Sequence, residues 1–369
     1  MPQSQPSVVV TDYLIKWHGN VFINWGKFVP IVNGGKLTKY VHTMIGTVDY
    51  KKMAMLCSFF QGIVNSYFAK RKWIVDFIEI RCNEKEGKKE FELAETRSNK
   101  TIELPKHLPD KIRGFVCISI TFLDQKAIEF LRHFHRLFGT CQIKLSIGTS
   151  SILAIGFFYC FLWPRIKNQI SFIEFRDDQA FSRMRDIAPS IFSELPSLRI
   201  FESLEDPFPA FPAIDSTNAV NGQLLAHWLI KALPNEIPKI VRCSIEEPDT
   251  AGDLPAKIGA IKSAFSKSSF SANFIIQMTI PDETIIAPFD VFNKKTGRRL
   301  LLDDSHDQNL LLISCPIKRD KKAWTKWREE ALQGSEIYTW NLIDLTAGDA
   351  DIGEWNSAQF PDLMANMQK

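Results

Sequence analysis

No charge of one sign dominates this chain, no apolar run is long enough to cross a bilayer, and no cysteines sit at metal- or redox-motif spacing. Each shortage excludes something. The 45 Lys and Arg residues against 42 Asp and Glu leave a formal net charge of +3 over 369 residues. That balance is too even to argue for nucleic acid as a partner. The basic runs Lys70–Lys72, Lys294–Arg299 and Lys318–Lys322 are short and lie beside turns or helix starts; they read as solvated surface. The most apolar stretch, from Ile152 to Trp163, is closed by Pro164 and Arg165. A span needs roughly 20 residues, so a buried helix and no membrane contact are expected. Residues 1–20 carry Pro2, Pro6, Asp12 and Lys16 and only a short Val8–Val10 run, so no secretory signal is expected either. The cysteines (Cys57, Cys82, Cys117, Cys141, Cys160, Cys243 and Cys315) are odd in number and scattered. In apolar segments they act as small hydrophobes, and a reducing compartment, cytoplasmic or nuclear, fits best.

What is present is a cadence. Apolar strand centres recur at Ile118, Leu145, Ile173 and Ile200, in steps of 27, 28 and 27 residues. One strand and one helix per fixed period is the mark of a solenoid, whose units bury their apolar faces only by stacking. Asp124 can cap a helix whose Ala127, Phe130, Leu131, Phe134, Leu137 and Phe138 fall on one stripe, with Gly139 to stop it. On this reading, residues 1–52 lack a sustained period, and 53–105 hold a helix, a strand and a hairpin. Residues 106–268 form the β/α repeat region and 269–369 a β-rich cap carrying one helix, with Trp324, Trp327, Arg328 and Ala331 on one face. In the first helix, Met53, Leu56, Phe60 and Ile63 share a face.

Fragments that resemble chemical motifs fail on spacing. Gly34-Gly35-Lys36 lacks the first glycine of a phosphate loop, and Leu37 stands where Ser or Thr is needed. Glu129 and His133 are four apart on a helix, but both His133 and His135 sit opposite the apolar stripe and read as surface. The run Asp349 to Glu354 has neither the order nor the later glutamate of a calcium loop. Asp303, Asp304, Ser305, His306 and Asp307 are hydrolase residue types, yet neighbours in one loop cannot take up triad geometry. The Trp324/Trp327 pair reads as core. No catalytic residue, cofactor site or metal site is therefore assigned.

Several segments carry a family likeness, in order and spacing over some 280 residues. They begin with Phe68-Ala69-Lys70-Arg71-Lys72-Trp73, Leu108-Pro109 with Gly114-Phe115, and Ile128-Glu129-Phe130-Leu131 through Arg136-Leu137-Phe138. Pro196-Ser197-Leu198-Arg199, Phe211-Pro212-Ala213 with Asp215, Gly222-Gln223 and Trp228-Leu229 follow, then Ala264-Phe265, Asn273-Phe274-Ile275-Ile276 and Pro288-Phe289. The C-terminal run is Cys315-Pro316-Ile317, Arg319-Asp320, Trp324, Trp327, Glu330-Ala331, Trp340-Asn341 and Asp351-Ile352-Gly353. Together they resemble the F-box-type protein family expanded in plant-parasitic nematodes. The resemblance implies a non-enzymatic adaptor, docked on a Skp1-like subunit of a cullin-type ubiquitin ligase and holding an unknown protein substrate. By this resemblance the helix Met53–Phe68 would be the last F-box helix, offering Met53, Leu56, Phe60 and Ile63 to the Skp1-like partner or to the next domain. Residues 13–50 lack the usual Leu-Pro opening and helix cadence, which keeps open a stand-alone binding or effector protein, and behind it an unrecognised enzyme. The expected fold is α+β or α/β: an N-terminal helical F-box-like module, a leucine-rich-repeat-like β/α solenoid, and a C-terminal antiparallel β layer with one packed helix.

Overall fold

A computed structural model of the chain describes residues 73–85, 88–95, 100–101, 112–138, 142–204, 208–216, 218–234, 236–245, 248–267, 272–281, 286–306, 309–333 and 341–354. Strands rich in Ile, Leu, Val and Phe run as β1 (Trp73–Lys85), β2 (Lys88–Glu95), β3 (Lys100–Thr101), β4 (Ile112–Ile120), β5 (Ile143–Ile147), β6 (Ile170–Phe175) and β7 (Ile200–Ser203). They continue as β8 (Lys239–Ser244), β9 (Phe274–Thr279), β10 (Phe289–Asn293), β11 (Arg298–His306), β12 (Asn309–Pro316) and β13 (Leu342–Leu345). The helices are α1 (Gln125–Phe138), α2 (Ile152–Phe161), α3 (Trp163–Ile166), α4 (Ala180–Ile187), α5 (Asn221–Leu229), α6 (Pro248–Lys267) and α7 (Lys321–Leu332).

All thirteen strands belong to one sheet, in the order β10-β11-β12-β9-β8-β7-β6-β5-β13-β4-β1-β2-β3. From β1 and β4 through β13 to β9 the pairing is parallel; the β9–β12–β11–β10 end and the β1–β2–β3 end are antiparallel. This is an α/β fold built on a mixed sheet, and it overturns the solenoid with a separate antiparallel cap. Ile118 and Leu145 do not stack as neighbours. Each pairs with Ile343 of β13, which arrives from the far end of the chain and lies between them. The C-terminal strands are likewise not a layer of their own, because β9 joins β8 on one side and β12 on the other. A local period cannot register pairing between strands some two hundred residues apart. The helical F-box-like module, with Met53, Leu56, Phe60 and Ile63, lies outside the described residues.

Burial on both faces explains why these strands read as continuous apolar runs. On one face Ile118, Leu145, Ile173, Phe201, Val241 and Ile276 pack with residues of α1 to α6 into a single core. On the other, Phe172, Ile200, Ile240, Ile275, Leu311, Ile313 and Cys315 lie under Trp324 and Ala331 of α7. Helix α2 (sequence ILAIGFFYCF) is apolar all round and most of it is buried, as such a helix must be. Its cap is Ser151, whose Oγ accepts from Ala154 N at 3.0 Å. The carboxylate of Asp124 does the same for α1, accepting from Ala127 N at 2.7 Å.

Asn341 locks the start of β13. It stands in the left-handed region at φ 57°, which asparagine tolerates better than most residues. Its N–H donates to Phe115 O at 2.7 Å, its Oδ1 accepts from Phe115 N at 3.1 Å, and its carbonyl accepts from Lys144 N at 3.2 Å. Gly114 leaves room for this, since a Cβ there would lie 2.9 Å from Asn341 Oδ1.

Candidate functional site

Beside α5 lies a shallow cleft, open to solvent and with an inner void of about 20 Å³, lined by Pro189, Ser190, Phe192, Ser193, Asp215, Leu224, His227, Trp228 and Lys231. Its aromatic wall is Phe192 stacked on Trp228, with ring centroids 5.5 Å apart at 23°. The rim is polar. Asp215 Oδ2 lies 3.2 Å from His227 Nδ1 and 3.8 Å from Lys231 Nζ. His227 and Lys231 reach one carboxylate because they are four apart on the helix and its exit.

Asp215 is delivered by the segment before α5. Ala210 N donates to Gly222 O at 2.9 Å and Ile214 N to Gln223 O at 3.4 Å, laying residues 208–216 along the helix. Gly222 makes that approach possible: a Cβ there would stand 2.6 Å from Phe208 O. The start of α5 is fixed from α4, where Arg185 bonds the Asn221 side chain and donates to Ala219 O at 2.6 Å. Ile214 of this segment is exposed (37%), as is Val220 (61%) at the N-cap of α5.

Behind Trp228, on β8, Lys239 is buried. Its ammonium lies 4.6 Å from the Trp228 ring centroid and donates to the Trp228 carbonyl. Burial, and then the positive charge of Lys231, pull its pKa down from the ordinary 10.5 to about 7. The loop that carries Phe192 is held by Glu194, which accepts from Tyr159 Oη at 2.8 Å, Trp163 Nε1 at 3.0 Å and Lys167 Nζ at 3.1 Å. Burial alone would raise the Glu194 pKa, but those three donors hold it below the usual range.

The other fragments are engaged structurally where they are described. Glu129 accepts from Gln125 Nε2 at 3.1 Å, one turn earlier on α1; the side chains of His133 and His135 lie outside the described set. Asp349 takes the Ser151 hydroxyl and Asp351 accepts from Gly348 N at 2.9 Å, within a turn of 3-10 helix. Asp303 pairs with Arg328 of α7. Among the described residues no group of three His, Cys, Asp or Glu side chains is placed to hold a metal ion, and no helix is long and apolar enough to cross a membrane. Trp324 is buried, with Trp327 edge-on at 5.3 Å. Gly34-Gly35-Lys36 lies outside the described residues.

The chain matches no family model, no curated protein and no solved structure. The family likeness therefore stands on the quoted residues alone. Of these, Asp215 and Trp228 line the cleft and Gly222 and Gln223 anchor its segment, whereas Arg199 is clasped by Glu330 of α7, at the other face of the sheet, through two bonds of 2.7 and 2.6 Å. Leu224 and Trp228 are at helical spacing, a local pattern, whereas Asp215 is brought in by a loop.

Proposed function

We propose that this chain is a non-enzymatic protein-binding module that receives a partner at the α5 cleft, and that it serves as the substrate-holding adaptor of a Skp1–cullin-type ubiquitin ligase. One observation supports the binding reading: an aromatic-walled recess with Asp215, His227 and Lys231 clustered on its rim, and exposed Ile214 next to Asp215 in the chain. Binding hot spots have this anatomy, a central apolar pocket with a polar rim. The ligase coupling rests on the family resemblance. A missing Leu-Pro opening in residues 13–50 favours, as second reading, a stand-alone binding protein.

The two halves are tested separately on the full chain. Co-purification with recombinant Skp1 is expected, and its loss on Leu56→Asp with the fold intact would place the contact on the 53–63 face. Absence of any Skp1 complex removes the ligase coupling and leaves the stand-alone reading. For the cleft, proximity labelling in cells is compared between wild type, Ser193→Asp and Lys231→Glu, both exposed residues of its lining. Loss of a common set of labelled proteins is expected from both variants. An unchanged set would sink the cleft as the binding surface.

A further inference from the structure

Two of the basic runs, separated in sequence, form one surface in the fold. The β10–β11 turn carries Lys294 and Lys295, both exposed; the β12–α7 connection carries exposed Lys318 and half-buried Arg319, and the first turn of α7 adds exposed Lys321 and Lys322. Register brings them together. Arg298 of β11 pairs with Pro316 of β12, and Ile317 N donates to Gly297 O at 3.2 Å. Neighbouring strands lie about 4.8 Å apart, so the ends of β10 and β12, from which the two runs leave, stand roughly 10 Å apart. Two exposed apolar side chains belong to the same corner: Phe292 (54%) on the edge strand β10, opposite Arg299, and Ile317 (47%) just after β12.

Neutralisation is slight. Asp290 is held by Arg299 in a two-bond pair at 2.9 and 2.6 Å, and Asp320 caps α7, accepting from Lys322 N at 2.9 Å. The six other basic side chains have no such carboxylate among the described residues. The placement also opposes helix electrostatics. No acidic residue occupies the first turn of α7, and cations there meet the positive end of the macrodipole. The support is rigid: Asn293 Oδ1 accepts from Lys295 N at 3.0 Å, its Nδ2 donates to Phe265 O at 2.6 Å, and Gly297 supplies the left-handed turn residue at φ 65°.

We infer that this corner is a contact surface for an anionic phospholipid bilayer, with Phe292 and Ile317 entering the headgroup region beside the lysines. Charge complementarity identifies the occupant. Lysine point charges suit a diffuse anionic plane, whereas base readout and phosphate clamping favour planar guanidinium forks and stacking grooves. Flanking apolar tips suit an interface that is wet on one side and apolar on the other. The inference goes beyond the cleft and is independent of it, so either can fail alone.

The test is flotation of the full chain with vesicles of phosphatidylcholine alone or with about 30% phosphatidylserine. Binding to the anionic vesicles only is expected, falling steeply as salt rises from about 0.1 to about 0.5 M. Lys318→Ala and Lys322→Ala should each weaken it about fivefold, and Phe292→Ser by roughly tenfold. All three side chains are exposed, and unchanged near-ultraviolet dichroism shows that the variants remain folded. No flotation at low salt overturns the inference, as does flotation that none of the variants alters. Tighter binding to single-stranded RNA or to an acidic peptide, insensitive to Phe292→Ser, overturns it in favour of a general polyanion site.

Discussion

Under α1 to α6, Phe201 touches Phe175, Phe181, Phe192 and Trp228 in an unbroken aromatic cluster, with ring centroids 5.1 to 6.5 Å apart. The opposite face differs. Its apolar patch under α7 is small and bordered by ion pairs: Lys144–Glu174 at 2.9 Å, Arg242–Glu202 at 3.0 Å, Arg199–Glu330 at 2.6 Å and Arg176–Asp344. One sheet thus has a face held by burial and a face held by burial with charge. The first should be insensitive to salt, while the second should respond to it.

The sharpest break in that comparison is a cavity on the helix-covered face. Phe201→Ala removes a fully buried ring and is expected to cost about 3–5 kcal/mol. Urea unfolding of the variant at low and high salt should show the same loss at both. A loss that shrank markedly with salt would contradict the division between the faces.

On the α7 face the matching experiment is Arg242→Met. Arg242 is buried at 3% exposure, pairs with Glu202, donates to Glu330 O at 2.9 Å and Ala331 O at 3.3 Å, and lies 5.4 Å from the Phe172 ring centroid. It therefore ties the C-terminal end of α7 to β8, where a cation also suits the helix dipole. Removing it strips two carbonyls and one carboxylate of a donor, an expected cost of about 2–3 kcal/mol. Hydrogen exchange is the discriminating readout: α7 amides should lose protection before those of α4 or α5.

Lys239 tests the helix-covered face from the opposite direction, since its burial opposes stability. Its folded pKa of about 7 lies below the ordinary 10.5. Between those values the unfolded chain binds the extra proton, so stability rises with pH across that window, and the penalty of a buried charge is complete below about pH 7. Lys239→Met is expected to stabilise the fold by on the order of 2 kcal/mol at pH 6. Trp228 O keeps Lys231 N as a donor at 3.2 Å. The advantage should fade towards pH 10, and thermal melts across that range measure it. A constant difference would mean that Lys239 does not titrate there.

How much of this could be read beforehand follows from range. The stripe and cap of α1 and the Trp324/Ala331 face of α7 are local patterns at helical spacing, and the sequence shows them directly. The insertion of β13 is not local, and neither is the pairing of Asn341 with Phe115, so a 27-residue cadence suggested stacking where the fold interposes a strand. The candidate site divides in the same way. Leu224 and Trp228 announce a helix face, whereas Asp215 and the buried Lys239 reach the neighbourhood of Trp228 through a loop and a strand. The two basic runs were visible singly; only the β11–β12 register joins them.

The smallest expected effect carries a sign that structure and function set oppositely. Lys322 stands in the first turn of α7 among Lys318, Arg319 and Lys321, against the helix dipole and against like charge. Lys322→Glu should stabilise the chain by roughly 0.5 kcal/mol, with a gain that shrinks as salt screens both terms. The same change should weaken flotation with anionic vesicles. A surface kept basic at a cost in stability makes the two readouts move apart. If instead Lys322→Glu destabilises the fold, some contact of that side chain outweighs dipole and repulsion together, and the lysine needs no membrane to explain it.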